Sequence, residues 1–195
     1  MNPPRLLLAS SSPRRRELLA RLGIPFELRA APADETPRAG EAPRELVERL
    51  ALDKARLAAE AGAVALGADT VVAIDGELLG KPADAAEARR MLARLSGRAH
   101  QVWTGVALVG RSELGALREL VRSDLSEVVF RALDESEVER YVASGEPFDK
   151  AGAYAIQGGA AGFVEELRGD RSNVVGLPLP LVAAMLREAG FRPRL

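Results

Sequence analysis

Leu6-Leu7-Leu8-Ala9-Ser10-Ser11-Ser12-Pro13-Arg14-Arg15-Arg16-Glu17 opens the readable part of the chain. An apolar run of strand length ends in three serines. Pro13 then fits the first turn of a helix, where its missing N–H costs nothing. Ser12 is placed to cap that helix, Leu18, Leu19 and Leu22 continue at helical spacing, and Gly23 supplies a stop. The stretch therefore predicts strand, tight serine turn and helix N-terminus. Such a terminus presents free N–H donors and the positive end of a dipole. Three arginines crowd a first turn where acids would be expected. They make physical sense if an anion, phosphate above all, comes to neutralise them.

The composition narrows the field. In 195 residues there is no cysteine and a single histidine, His100. Disulfides, thiolate zinc sites, cysteine nucleophiles and His-Glu-x-x-His zinc sites are thereby excluded. No Gly-x-Ser-x-Gly elbow surrounds a serine, which argues against a Ser-His-Asp hydrolase. A formal net charge of −1 creates no field to recruit nucleic acid or an anionic membrane. The N-terminal apolar run is too short for a signal peptide or a membrane span, so a cytoplasmic protein is expected. The 27 basic residues include only three lysines, Lys54, Lys81 and Lys150. Where arginine suffices this chain uses arginine, so each remaining lysine is suspected of a role that needs a compact charge.

The rest of the chain alternates strands and helices without repeats. Phe26–Ala31 reads as a short strand, and Pro32–Gly40 as an acidic loop with Asp34 and Glu35. Pro43 opens a helix predicted to run to about Ala61. Lys54 falls inside its apolar stripe, where it must snorkel to water or meet an anion. Ala63–Ile74 reads as a buried strand, or two, broken at Gly67 and Asp69, with Asp75-Gly76 as a hairpin turn. A carboxylate such as Asp69 inside an apolar run is costly unless paired, hydrogen-bonded or metal-bound. Asp84 with Glu87, and Asp134 with Glu137, cap two further helices. Ala99–Val109 and about Leu117–Leu133 form long strands joined by a glycine-containing connection. Gly145–Gly162 is a long loop, Phe163–Leu167 a strand and Arg168–Asn173 a turn. A last helix spans about Leu181 to Ala189. Hairpins beside crossovers give an α/β class with a mixed sheet. Gly76–Lys81 has too few residues between its glycines for a phosphate-binding P-loop, and Pro82 stands where Ser or Thr is required. What remains is a cationic set (Arg14, Arg15, Lys54, Lys81) and an acidic set (Glu35, Asp69, Glu127). These are the parts of metal-assisted phosphate chemistry.

Leu8-Ala9-Ser10-x-Ser12-Pro13-Arg14-Arg15-x-Glu17-Leu18-Leu19 resembles the opening signature of the Maf family of nucleoside triphosphate pyrophosphatases. The likeness continues through Leu50-Ala51-x-x-Lys54-Ala55, Gly67-Ala68-Asp69-Thr70-Val71-Val72 and Gly80-Lys81-Pro82. It extends over Val142–Pro147, Asp149–Gly158 and Asn173–Leu179, with Val129 departing from a frequent Thr. The resemblance implies one Maf-like domain over 1–195. Its α/β fold would be of the Maf and ITPase-like kind, an elongated mixed β-sheet flanked by helices, with two lobes and a central cleft. It further implies a homodimer and hydrolysis of a nucleoside triphosphate with a divalent cation, Mg2+ or Mn2+; the near-neutral charge, for its part, predicts no nucleic-acid or membrane partner. Asp69 is then expected to accept the proton of the attacking water or to hold the metal, with Glu35 and Glu127 completing the metal environment. Ser10, Arg15, Lys54 and Lys81 are expected to bind the triphosphate. Arg14, Thr70 and Gln157 stand where the family's dTTP- and UTP-hydrolysing subgroup has Arg, Thr and Gln. Their donors and acceptors match a uracil or thymine edge.

Overall fold

A computed structural model describes residues 5–30, 32–111 and 117–194. The first stretch folds as its sequence predicts, with strand β1 (Arg5–Leu8) followed by helix α1 (Pro13–Ala20). Ser12 Oγ accepts the Arg15 N–H at 3.4 Å, and Gly23 leaves the helix at φ +66°. The later elements are β2 (Phe26–Leu28), α2 (Pro43–Ala58), β3 (Ala63–Ile74), β4 (Glu77–Leu79) and α3 (Ala85–Leu95). Then come β5 (Ala99–Arg111), β6 (Leu117–Phe130), α4 (Glu135–Ala143), β7 (Val164–Arg168), α5 (Arg171–Val175) and α6 (Leu179–Glu188). Among the described residues the strands form one seven-stranded sheet in the order β2-β1-β3-β5-β6-β7, with β4 paired to β3. β1 runs parallel to β2 and β3, whereas β3–β4 and β6–β7 are antiparallel, so the sheet is mixed as expected. No described helix is long and apolar enough to cross a membrane.

The chain divides into two compact units. Unit 1 is Met1–Asp69, Thr104–Asp124 and Gly176–Leu195; unit 2 is Thr70–Trp103 and Leu125–Val175. In unit 1 leucines such as Leu6, Leu8, Leu19 and Leu66 are fully buried, and one cluster beneath α2 is built from small residues. Ala51, Ala55 and Ala58 of α2 meet Leu7, Ala9, Ala63, Ala65, Ala107 and Val109. The core of unit 2 is aromatic, with Phe130, Tyr141, Tyr154 and Phe163 packed edge to face.

Several expectations need correction. β3 is one unbroken strand, and Gly67 serves packing: a Cβ there would lie 2.1 Å from the Ala51 carbonyl oxygen of α2. Gly105 does the same on β5, 2.1 Å from the Val47 carbonyl oxygen. α2 stops at Ala58, three residues early, because the chain turns to start β3, where Ala63 pairs with Arg5. Glu60 holds that turn through ion pairs to Arg5 at 2.5 Å and Arg29 at 3.0 Å. The turn expected after β7 contains the short helix α5, α6 begins two residues early, and β2 ends at Leu28. Three 3-10 turns occupy the long loop expected over 145–162. Ala31 and the connection at 112–116 lie outside the described residues.

Candidate active site

Unit 1 holds Arg14, Arg15, Glu35, Lys54 and Asp69 of the acidic and basic side chains that the sequence singles out. Side chains alternate along a strand, so Ala63, Ala65, Gly67 and Asp69 share one face of β3. α2 covers that face closely because the first three of them are small. Lys54, on the buried stripe of α2, thereby reaches Asp69. Its Nζ donates to Asp69 Oδ1 at 2.6 Å and to Glu35 Oε1 at 2.6 Å. Lys54 and Asp69 are 7% and 8% exposed. Of the two readings of a lysine in an apolar stripe, the structure selects the one with an anionic partner. Glu35 approaches from the loop after β2, with its side chain 52% exposed.

The serine turn lies in the same unit. Ser10 is buried, and its Oγ accepts the Ser12 N–H at 3.1 Å. Arg15 Nε donates to the Gly176 carbonyl at 2.8 Å, a contact across 161 residues that no local pattern announces. Burial draws the Arg15 guanidinium below its ordinary value. The charges of Asp69 and Glu35 oppose that shift, and Arg14 adds to it. A cation held partly out of water, in a first helical turn that carries no acid, is suited to meet phosphate oxygens.

Two carboxylates, Glu35 and Asp69, converge on one cation, the Lys54 ammonium. Oxygen donors of this kind also suit Mg2+ or Mn2+, which usually take one or two carboxylates and complete their shell with phosphate and water. Among the described residues no three His, Cys, Asp or Glu side chains stand close enough to form a full protein cage. The pair Glu35 and Asp69 therefore fits a cation shared with a substrate.

The other expected site residues belong to unit 2. Thr70 follows Asp69 in β3, half-buried and, by alternation, on the opposite face. Lys81 is exposed after β4, and the neighbouring Gly80 carbonyl accepts the Gly152 N–H at 3.0 Å. Gln157 is exposed in the turn closed by Gly158 N–H to Ala155 C=O at 3.0 Å. Glu127 on β6 forms an ion pair with Arg168, which also holds Glu166 at 2.7 Å. Asn173, quoted above only within a motif, is wholly buried; its Nδ2 donates to the Val102 carbonyl at 3.0 Å and to Ser126 Oγ at 2.9 Å.

Residues 5–189 match the family profile described as Maf-like protein. The chain is 56% identical over 189 residues to the dTTP/UTP pyrophosphatase of Anaeromyxobacter dehalogenans, spanning 96% of this chain and 95% of that protein. It is 54% identical over 188 residues to the dTTP/UTP pyrophosphatase of Symbiobacterium thermophilum, spanning 95% and 94%. Among solved structures it resembles a HAM1 protein from Coxiella burnetii, with a TM-score of 0.53 at 22% identity over 95% of this chain and 99% of that one. That likeness shows a shared fold.

Proposed function

The chain belongs to the Maf family, and we propose that it hydrolyses dTTP and UTP to the nucleoside monophosphate and pyrophosphate. Identity above one half with proteins of that name, over nearly the whole length, supports the substrate class. The observation that carries the chemistry is the buried Asp69 carboxylate, held 2.6 Å from the Lys54 ammonium.

In the proposed reaction a water oxygen bonds to the α-phosphorus and the α–β bridging P–O bond breaks. The electron pair leaves with pyrophosphate. Asp69 takes the proton of the attacking water, and the Lys54 ammonium, 2.6 Å away, orients the carboxylate. Ser10 and Arg15, at the positive N-terminal end of α1, bind phosphate oxygens. Lys81 supplies charge to the leaving group. When bound by Glu35, Asp69 and the phosphates, a divalent cation would neutralise triphosphate charge and polarise the phosphoryl group. Glu127, held by Arg168 in unit 2, takes no part in these steps. Arg14, Thr70 and Gln157 read the pyrimidine edge. A homodimer is part of the same reading, and light scattering checks it.

Incubation of the purified protein with dTTP and Mg2+ or Mn2+ should release pyrophosphate, not orthophosphate. Asp69→Asn, nearly isosteric but unable to take the proton, should lower kcat by about 10²–10⁴-fold with the fold retained. Near-normal turnover by the folded variant would remove Asp69 from the mechanism.

A further inference from the structure

The turn that carries Gln157 is held by side chains to which the reaction gives no task. Gly145, at φ +79°, leads out of α4 and sets Glu146 at the start of a 3-10 turn. Glu146 Oε2 accepts the Gly159 N–H at 3.0 Å. Its Oε1 accepts the Tyr141 hydroxyl at 3.3 Å, and that same hydroxyl oxygen accepts the Ala155 N–H at 3.1 Å. The two backbone groups so held lie two residues before and two residues after Gln157. Between them, the Ile156 carbonyl accepts from Arg171 at 3.2 Å. The carboxylate sits so close that a Cβ on Gly158 would lie 1.7 Å from Glu146 Oε1, and one on Gly159 would lie 3.2 Å from the Tyr141 ring. A side chain at Gly158 would displace the Glu146 carboxylate, and one at Gly159 would crowd the Tyr141 ring. Tyr141 is 5% exposed, and burial pushes its phenol above the ordinary value, so it stays a donor to Glu146.

We infer that Glu146, acting with Tyr141, is a positioning residue for substrate specificity: it fixes the backbone on both sides of Gln157 so that the amide meets the base edge in one orientation. The inference rests on the reading that Gln157 contacts the base. An exposed glutamine on an unclamped turn would sample many orientations, and a base reader gains discrimination only where its donors and acceptors are fixed. The hydrogen bonds of the clamp join Glu146, Tyr141, Ala155 and Gly159, none of which is assigned to the phosphates. Its loss should therefore appear in KM and base selectivity rather than in kcat.

The test compares dTTP with GTP as substrates for wild type, Gln157→Ala, Glu146→Ala, Glu146→Gln and Tyr141→Phe. Glu146→Ala is expected to raise KM for dTTP about 10-fold, leave kcat for dTTP within about twofold and shrink the dTTP-over-GTP preference about 10-fold, as loss of one fixed hydrogen-bonding group would. Glu146→Gln keeps an oxygen for Gly159 N–H and an amide for the Tyr141 oxygen, so it should recover most of the loss. If Glu146→Ala does not fold, Tyr141→Phe carries the test, with a KM increase of several-fold at unchanged kcat. A Gln157→Ala variant with unaltered preference overturns the base-reading assignment and this inference with it. Loss of preference in Gln157→Ala but not in Glu146→Ala or Tyr141→Phe overturns the clamp alone. A fall in kcat equal to the change in kcat/KM also overturns it, since that marks a general structural lesion.

Discussion

Lys54→Met removes the ammonium while keeping most of the apolar stem. The two arms of its ion pair differ in worth. Glu35 has a side chain 52% exposed, so its arm resembles a surface pair and contributes less than about 1 kcal/mol. Asp69 is 8% exposed and its Oδ1 lies 2.6 Å from the ammonium. Deleting one partner of a buried pair strands the other charge, at a cost of about 3–5 kcal/mol. For a chain of 195 residues each kcal/mol moves Tm by about 2–4 °C, so Tm should fall by roughly 6–20 °C. Thermal unfolding of metal-free, nucleotide-free protein reads this directly. The sharper measurement is the cycle with Asp69→Asn, whose neutral amide needs no counter-charge. In that background Lys54→Met should cost about 2 kcal/mol less than in the wild type. An equal cost in both backgrounds would refute the buried Lys54–Asp69 pair and restore a snorkelling lysine.

Burial pushes the His100 imidazole down to about 4, and the ring stays neutral against the Tyr154 hydroxyl at 2.8 Å. The unfolded chain binds that proton below about pH 6.5 and the folded chain only near 4, so up to about 3 kcal/mol of stability drains away as pH falls through this window. His100→Gln should flatten that part of the stability–pH curve; an unchanged slope in urea unfolding would discount the histidine. Gly67→Ala would place a Cβ 2.1 Å from the Ala51 carbonyl and push α2 off β3. Its cost in urea unfolding should exceed the roughly 1–3 kcal/mol usual for overpacking, and a neutral substitution would contradict the close helix contact.

Local chemistry was legible in the sequence wherever it was self-contained. Ser12 caps α1, Asp84 and Asp134 cap their helices through the N–H groups of Glu87 and Glu137, and Asp75-Gly76 turns β3 into β4 as read. The misreadings arose where distant residues decide. Gly67 looked like a strand break because its cause, the Ala51 carbonyl, lies on another element. Ala59–Ala61 could have continued a helix by propensity, but the pairing of Ala63 with Arg5 and the Glu60 ion pairs draw the chain away. α5 has five residues, too few to show a period. At the site, scarcity marked Lys54 and an apolar context marked Asp69, yet their contact depends on how low α2 lies on β3. The tie between Arg15 and the Gly176 carbonyl had no signal at all. Glu146 stood in a matching motif, but its grip on Gly159 is visible only in three dimensions.

The central claim is that this chain turns over pyrimidine triphosphates. One measurement tests it most directly: pyrophosphate release by the purified protein from dTTP, UTP, ATP, GTP and 7-methyl-GTP, side by side, with Mg2+ or Mn2+. A pocket that hydrogen-bonds its base leaves polar groups unpaired against the wrong one, so kcat/KM for dTTP and UTP should exceed that for the three purine nucleotides by at least about 10²-fold. Preference for 7-methyl-GTP would contradict the roles of Arg14, Thr70 and Gln157, and tight nucleotide binding without pyrophosphate release would contradict catalysis itself.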